Sequence, residues 1–368
     1  MLKVGVIGCG GIANGLYLPT LDQPRKGFIL QAVCDAVPER AEQAKAKFGA
    51  RECYGDYRQM LEEANLNQVF VLTQLLHHAP IVKDCLQAGM HVYTEKPLSP
   101  TYQEAKSLLR LADRKGLLLA AAPPLMVFHE YQYLRSLLQR GAVGKVCFVR
   151  AHSSHGGPER WPSFTDTGNY YREEIATAIP PIFDMGVYAL TVLTSLLGTV
   201  KRVSAMSGTA IAERHFDKIQ GTKPYTMRPK VHDNCMMLLE WEGACFGAVD
   251  GSFCMRHNRA PGMEFYGSEG TLYVDSGNMN LEIQSTAKGF RRPAEWHELK
   301  IPAGRPKSNE GWGGVIAAHL AECITQGKQP IFGGAHAVHV VEVMEAVFTS
   351  SRTGQMVKLK STFQRQGG

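Results

Sequence analysis

In the first third of the chain, short apolar runs alternate with segments whose apolar residues recur at helical spacing. Lys3–Ile7, Ile29–Cys34, Val69–Leu72, His91–Thr94 and Leu117–Ala121 read as strands. Pro38–Phe48, Tyr57–Glu63, His78–Ala88 and Thr101–Lys115 read as helices, with Gly49, Gly89 and Gly116 where C-caps belong. This alternation predicts a parallel sheet covered on both faces. Beyond Pro123 the pattern changes. His129–Arg140 and Phe183–Leu197 still read as helices. Lys145–Ser154, Lys201–Thr209, Asn234–Trp241, Cys245–Cys254, Met263–Tyr266, Thr271–Val274 and Leu281–Gln284 read as strands, and Glu240–Ala244 as a hairpin turn. Such a run of strands predicts a mostly antiparallel sheet. The last helical stretches, Trp312–Gln326 and Ala335–Ser351, are expected to pack back near the first domain.

Composition narrows the function. A chain of 368 residues fits two domains, and 44% hydrophobic with 20% charged residues excludes a disordered chain. The net charge of +6 comes from scattered Lys and Arg, which argues against nucleic-acid binding. Nine Cys with irregular spacing and no C-x-x-C pair predict a reduced, cytoplasmic protein without disulfides or a zinc site. The strand at Lys3–Ile7 follows at once on Met1, with no signal-peptide pattern before it. The longest apolar stretch, Leu117–Val127, holds two prolines and is too short to span a bilayer, so no membrane association is expected.

The first strand ends in Gly8-Cys9-Gly10-Gly11-Ile12-Ala13, a G-x-G-x-x-A turn opening a helix. Gly8 makes the tight turn, Gly10 lets the backbone approach a pyrophosphate, and Ala13 permits close helix–strand packing. The helix N-terminus beyond, at Gly11 and Ile12, offers N–H groups to phosphates. Asp35 closes the second strand, where a carboxylate binds ribose hydroxyls and repels a 2′-phosphate; its other reading is a cap for Pro38–Phe48. The expected cofactor is therefore NAD, with Arg40 as the residue that could favour NADP. Glu95-Lys96-Pro97 follows the fourth strand, at the sheet edge where open α/β folds bind ligands. Pro97 biases Lys96 away from helical geometry, so its ammonium can project from the strand end.

Taken in order, these features resemble the Gfo/Idh/MocA oxidoreductases, the glucose–fructose oxidoreductase and inositol dehydrogenase family. The resemblance adds Thr73–His78, Ala88–Val92 leading to Glu95-Lys96-Pro97, Gly141–Gly144, Phe183–Tyr188 with its D-x-G-x-Y, and Tyr266–Thr271. It implies a Rossmann domain at 1–122, with Thr73, His78, Glu95 and Lys96 among the cofactor-binding residues. It also implies an α+β substrate and oligomerisation domain at 123–368. The large open sheet of that domain is expected to form a homo-oligomer, dimer or tetramer. Three departures stand out: Tyr188 where many members have His, Gln74 in place of Pro, and Ala122–Met126 in place of a stretch that often carries Arg. The last weighs against an acidic substrate.

Oxidising a secondary alcohol needs an acid–base group and a group that stabilises the oxyanion. Tyr188 is taken as the proton acceptor and Lys96 as its electrostatic partner, the reverse assignment staying open. Asp184, four residues before Tyr188, shares its face on a helix and either orients the substrate hydroxyl or caps the helix. His155 either hydrogen-bonds a sugar or is a solvated loop histidine. Trp161 and Tyr170 either stack on the substrate or anchor their long loop. His232 and Asp233 lack a third ligand at suitable spacing, so no metal is expected. The expectation is an NAD(H)-dependent dehydrogenase acting on a sugar, cyclitol or glycoside. The alternative is an NAD-dependent glycoside-cleaving enzyme that oxidises transiently, eliminates the aglycone and returns the hydride. A non-catalytic sensor fits less well with Lys96 and Tyr188 present.

Overall fold

The computed structural model describes residues 1–23, 26–160, 179–216, 224–275, 279–290, 295–304 and 306–365. The chain forms two compact units. The first comprises Met1–Phe128, Pro306–Val341 and Arg365–Gly368; the second comprises His129–Arg305 and Glu342–Gln364.

The first unit is built on six parallel strands: β1 (Leu2–Ile7), β2 (Phe28–Cys34), β3 (Glu52–Tyr54), β4 (Gln68–Val71), β5 (His91–Thr94) and β6 (Leu119–Ala121). Their order, β3-β2-β1-β4-β5-β6, is the doubly wound order, with its switch point between β1 and β4. Helices α1 (Pro38–Phe48), α2 (Tyr57–Glu63), α3 (Leu75–Gln87) and α4 (Tyr102–Lys115) connect the strands. Val4, Val6, Leu30, Val33, Val69 and Phe70 are fully buried, as strands covered on both faces require. The sequence pattern misses β3, whose Glu-Cys-Tyr carries no alternation. It also starts α3 three residues late, because the helix accommodates Pro80 in its interior.

The first unit is discontinuous: beside Met1–Phe128 it takes in a later segment of the chain. Residues Pro306–Val341 return to it with α7 (Gly313–Gln326) and the opening of α8 (Gly334–Thr353), α5 and α6 lying in the second unit. The reason is packing. Ile316, Ala317 and Leu320 of α7 are buried, and Trp312 donates its backbone N–H to Leu16 O at 2.7 Å. A Cβ on Gly313 would lie 2.1 Å from Tyr17 O, so only glycine permits this approach.

The second unit holds α5 (His129–Gln139), α6 (Val187–Leu197) and two sheets. A small one pairs β9 (Arg214–Phe216) with β10 (Tyr225–Met227). The large one contains β7 (Val146–His152), β8 (Arg202–Gly208), β11 (Asn234–Glu240), β12 (Phe246–Asp250), β13 (Met263–Gly267), β14 (Gly270–Asp275), β15 (Asn280–Ser285), β16 (His297–Leu299) and β17 (Val357–Lys358). Its order is β16-β15-β14-β13-β7-β12-β11-β8-β17, antiparallel throughout except for the parallel β7–β12 pair. Along β11, Cys235, Met237 and Leu239 are buried while Met236 and Leu238 are exposed, so one face is covered and the other open.

Candidate functional site

Glycine turn. Gly8 has φ +98°, and a Cβ there would lie 2.7 Å from Leu72 O, so β4 itself enforces glycine. Gly10 differs, since a Cβ there would meet nothing within 4 Å. Among the described residues no atom requires glycine at this position; the open space is a cradle that a Cβ would fill. Asn14 closes the turn from within, donating Nδ2–H to Cys9 O at 2.7 Å and Gly10 O at 3.0 Å. The segment beyond is more irregular than the expected helix, wider in its first turn and tighter in its second. Gly11 and Ile12 are exposed, Ala13–Tyr17 is a π-helical turn, and Leu18–Thr20 is 3-10.

Asp35 is buried, and both of its oxygens engage the backbone. Oδ2 accepts Cys9 N–H at 2.8 Å and Oδ1 accepts Val37 N–H at 2.9 Å. The helix-cap alternative for Asp35 is not realised, because α1 starts after Val37 without a side-chain cap. Arg40, in the first turn of α1, lies near enough to favour ionisation of the Cys9 thiol. Burial outweighs it: the Cys9 and Cys34 thiols are pushed up to about 12, so both stay protonated and inert.

Just past β4, Thr73 Oγ1 is buried with no hydrogen-bond partner among the described residues. An orphaned hydroxyl beside the Gly8 turn, the open space at Gly10 and the carboxylate of Asp35 together suit a dinucleotide. His78 is 1% exposed, with Nδ1 2.8 Å from Pro97 O and Nε2 2.9 Å from Thr73 O. Burial lowers its pKa against the pull of these two carbonyls. The ring thus ties Thr73, just past β4, to the Lys96–Pro97 segment.

Glu95 is likewise turned inward. Tyr17 donates its hydroxyl to Oε1, and Oε2 accepts Lys96 N–H at 2.9 Å. The Tyr93 hydroxyl lies 3.1 Å from that of Tyr17. Burial, then the Glu95 charge, raises the Tyr17 pKa well above the usual tyrosine range. Lys96 is partly exposed at the carboxyl end of β5, next to a cis Lys96–Pro97 bond. Tyr17 was not singled out from sequence; the signal available was a polar aromatic one helical turn past Ala13.

In the second unit, Asp184 and Tyr188 stand where α6 begins. The helix opens with a π-helical turn, Ile182–Gly186, and Asp184 lies buried inside it, so it is not an N-cap. π-Turns interrupt helices most often at functional sites. The turn is fixed from behind. A Cβ on Gly186 would lie 2.3 Å from Ile182 Cδ1, and Ser153 donates its hydroxyl to Met185 O. Tyr188 is partly exposed, and its charge contributes to raising the pKa of Tyr131, after burial and Glu130.

His155 Nδ1 accepts Gly157 N–H at 3.0 Å, so the proton sits on Nε2, and its ring lies 4.9 Å from that of Phe253. Trp161 and Tyr170 lie outside the described residues. A buried cluster that sequence reading missed supports this loop: Arg214 bonds Glu159 at 2.9 Å and Asp233 at 2.7 Å. Asp233 is thereby committed, and His232 Nδ1 lies 2.7 Å from the Ser207 hydroxyl. Among the described residues no group of three or more His, Cys, Asp or Glu could hold a metal.

The arrangement of glycine turn, acidic β2 end and Lys96 invites comparison with known proteins. Residues 2–122 match the model described as "Oxidoreductase family, NAD-binding Rossmann fold", and residues 131–273 match the "GFO/IDH/MocA C-terminal domain". The chain belongs to the Gfo/Idh/MocA oxidoreductase family. It is 26% identical to D-apiose dehydrogenase of Paraburkholderia graminis, over 98% of this chain and 90% of the relative. It is 31% identical to dTDP-3,4-didehydro-2,6-dideoxy-alpha-D-glucose 3-reductase of Streptomyces violaceoruber, over 82% and 81%. In fold it is similar to levoglucosan dehydrogenase in complex with NADH and levoglucosan, with TM-score 0.81, 19% identity and coverage of 98% and 99%. As a Gfo/Idh/MocA protein it is an oxidoreductase with an NAD-binding Rossmann domain. The hairpin anticipated from the resemblance is present too: β13 and β14 join through Ser268 and Glu269.

Proposed function

We propose that this chain is an NAD(H)-dependent dehydrogenase that interconverts a secondary alcohol and a ketone on a sugar, cyclitol or glycoside. The observation that carries the reading is the end of β5. Glu95 is consumed by internal hydrogen bonds, while Lys96 follows it, partly exposed, at the carboxyl end of the parallel sheet, the same end that carries the glycine turn after β1. The relatives support the substrate class, being named for apiose, a dTDP-linked deoxyhexose and levoglucosan.

The turn Gly8–Ile12, Asp35 and Thr73 would hold the dinucleotide, with Arg40 at the adenosine side and His78 and Glu95 supporting from beneath. When bound, the nicotinamide supplies the hydride acceptor. Tyr188 takes the hydroxyl proton, Lys96 stabilises the oxygen as it becomes negative, and Asp184 orients the hydroxyl. His155 would offer a hydrogen bond to a sugar hydroxyl. Asp35 favours NAD over NADP, since a carboxylate at this position repels a 2′-phosphate. The working form is a cytoplasmic homo-oligomer.

A screen of sugars, cyclitols and aryl glycosides with NAD and NADP, read by nicotinamide absorbance and product analysis, tests the reading. Net NADH with a keto product is expected. Aglycone release without net NADH would replace this reading with a redox-recycling glycosidase.

A further inference from the structure

A hydrogen-bonded line runs through the first unit from the glycine-turn segment to the backbone of Lys96. Tyr17 ends the π-helical turn and is 0% exposed. Its hydroxyl donates to one oxygen of Glu95, and the other oxygen accepts Lys96 N–H at 2.9 Å. Four groups thus surround the Glu95 carboxylate: Tyr17 from the π-turn, Tyr93 from β5 through the Tyr17 hydroxyl, Lys96 beside it, and His78 of α3, which senses the charges of Glu95 and Lys96. The Tyr17 ring is gripped on its other sides. Trp312 meets it edge-on at 6.1 Å and Phe70 edge-on at 6.3 Å. The backbone of Gly313 lies against Tyr17 O so closely that a Cβ would stand 2.1 Å away.

Packing alone would be served by phenylalanine. A hydroxyl in a fully buried site costs desolvation unless it is bonded, and here its bond goes to a carboxylate that must itself be satisfied. A buried carboxylate with two good donors has a fixed orientation. Because its second donor is the N–H of Lys96, that orientation sets the peptide plane from which the Lys96 side chain departs.

We infer that Tyr17 is a positioning residue: through Glu95 it fixes the backbone of Lys96, and the Gly311–Gly314 segment clamps Tyr17 in place. This rests on the reading of Lys96 as a catalytic group.

The test compares full-length wild type with Tyr17→Phe, Glu95→Gln and the double variant. Tyr17→Phe is expected to lower kcat about tenfold, the effect of losing one hydrogen bond to a charged group, while KM and NADH affinity hold. If Tyr17 acts through Glu95, the double variant is no worse than Glu95→Gln alone. A second readout needs neither substrate nor cofactor. In the ¹³C-dimethylated chain, the Lys96 resonance, assigned by its loss in Lys96→Arg, shifts in Tyr17→Phe. Additive losses would overturn the inference, as would a Tyr17→Phe chain of reduced thermal stability whose kcat and Lys96 resonance match wild type. If wild type oxidises no polyol or sugar, the dehydrogenase reading fails, and the Lys96 resonance still decides whether Tyr17 positions it.

Discussion

Asp35 cannot change without disturbing the glycine turn, because one of its oxygens accepts Cys9 N–H and the other Val37 N–H. Its carboxylate therefore holds the turn, and on the proposed reading it also repels a 2′-phosphate. Asp35→Ser should lower kcat/KM for NAD and raise the NADP/NAD ratio of kcat/KM about tenfold or more, as expected for removing one charge near a phosphate. A ratio unchanged from wild type would show that Arg40 and its neighbours, not Asp35, choose the cofactor. Tyr188 poses a cleaner question, since Tyr188→Phe removes one atom and keeps the ring. If Tyr188 transfers the proton, kcat falls about 10²–10⁴-fold and the pH–rate profile loses a limb. If Lys96 transfers it, affinity falls and the limb stays. His78 carries a stability signature instead. Its pKa is lowered from 6.5 by burial, so below about pH 6.5 the unfolded chain binds the extra proton more readily than the folded one. Stability from this group is complete above pH 6.5 and declines as pH falls below it. His91 and His319 shift the same way. Thermal melts from pH 7.5 to 5.5 should show this decline, and His78→Gln should flatten part of it.

At the scale of elements, the two glycines of the first turn separate protein needs from ligand needs. Gly8 is demanded by Leu72 O, whereas Gly10 meets only open space. Gly10→Val should therefore fold with the melting temperature of wild type yet lose NADH affinity, measured by fluorescence titration. Gly8→Val should lose stability, for a side chain at φ +98° would also strike β4. A Gly10→Val chain that binds NADH like wild type would mean that the dinucleotide does not approach this turn. The turn was legible in sequence because its glycines, the preceding strand and Asp35 form a local code. The π-turns at Ala13–Tyr17 and Ile182–Gly186 were not, since no residue pattern distinguishes an i→i+5 turn from an α-helix beforehand. The roles of His78 and Glu95 were hidden for another reason. The sequence marks the helix that carries His78 and the strand that ends before Glu95, but not that Tyr17 and two carbonyls turn their polar atoms inward. Arg214 was missed because its partners, Glu159 and Asp233, are remote in sequence and only the fold unites them.

At the scale of the whole molecule, strand alternation revealed the large sheet, and the helical pattern of the last stretches the return of the chain to the first unit, but not the parallel β7–β12 pair or the bounds Pro306–Val341 of that return. Both depend on long-range contacts that leave no periodic trace. The family resemblance led to the expectation of an open sheet whose free face serves oligomerisation, and that free face carries large apolar residues. Met206 is 80% exposed, Met236 61%, Leu238 56% and Phe246 48%. They belong to one surface: Met206 stands opposite Met236 in the β8–β11 register, Leu238 follows two residues along, and Phe246 lies on β12 opposite Glu240. On the proposed reading of a homo-oligomer, a second copy of the chain covers this face, since a sheet face can meet its own copy about a two-fold axis with the same residues on both sides. Sedimentation velocity on wild type should then give a dimer or tetramer at micromolar concentration. Leu238→Glu places a carboxylate at the centre of the apolar surface, where burial against a second copy would cost its solvation. That variant should sediment as a monomer while keeping the NADH affinity of the first unit. A wild-type monomer, or a Leu238→Glu chain that assembles as wild type does, would show that this face is not the oligomer interface. Loss of NADH binding together with assembly would instead show that the variant has misfolded, and Met236→Lys would then repeat the test from the neighbouring position on the same strand.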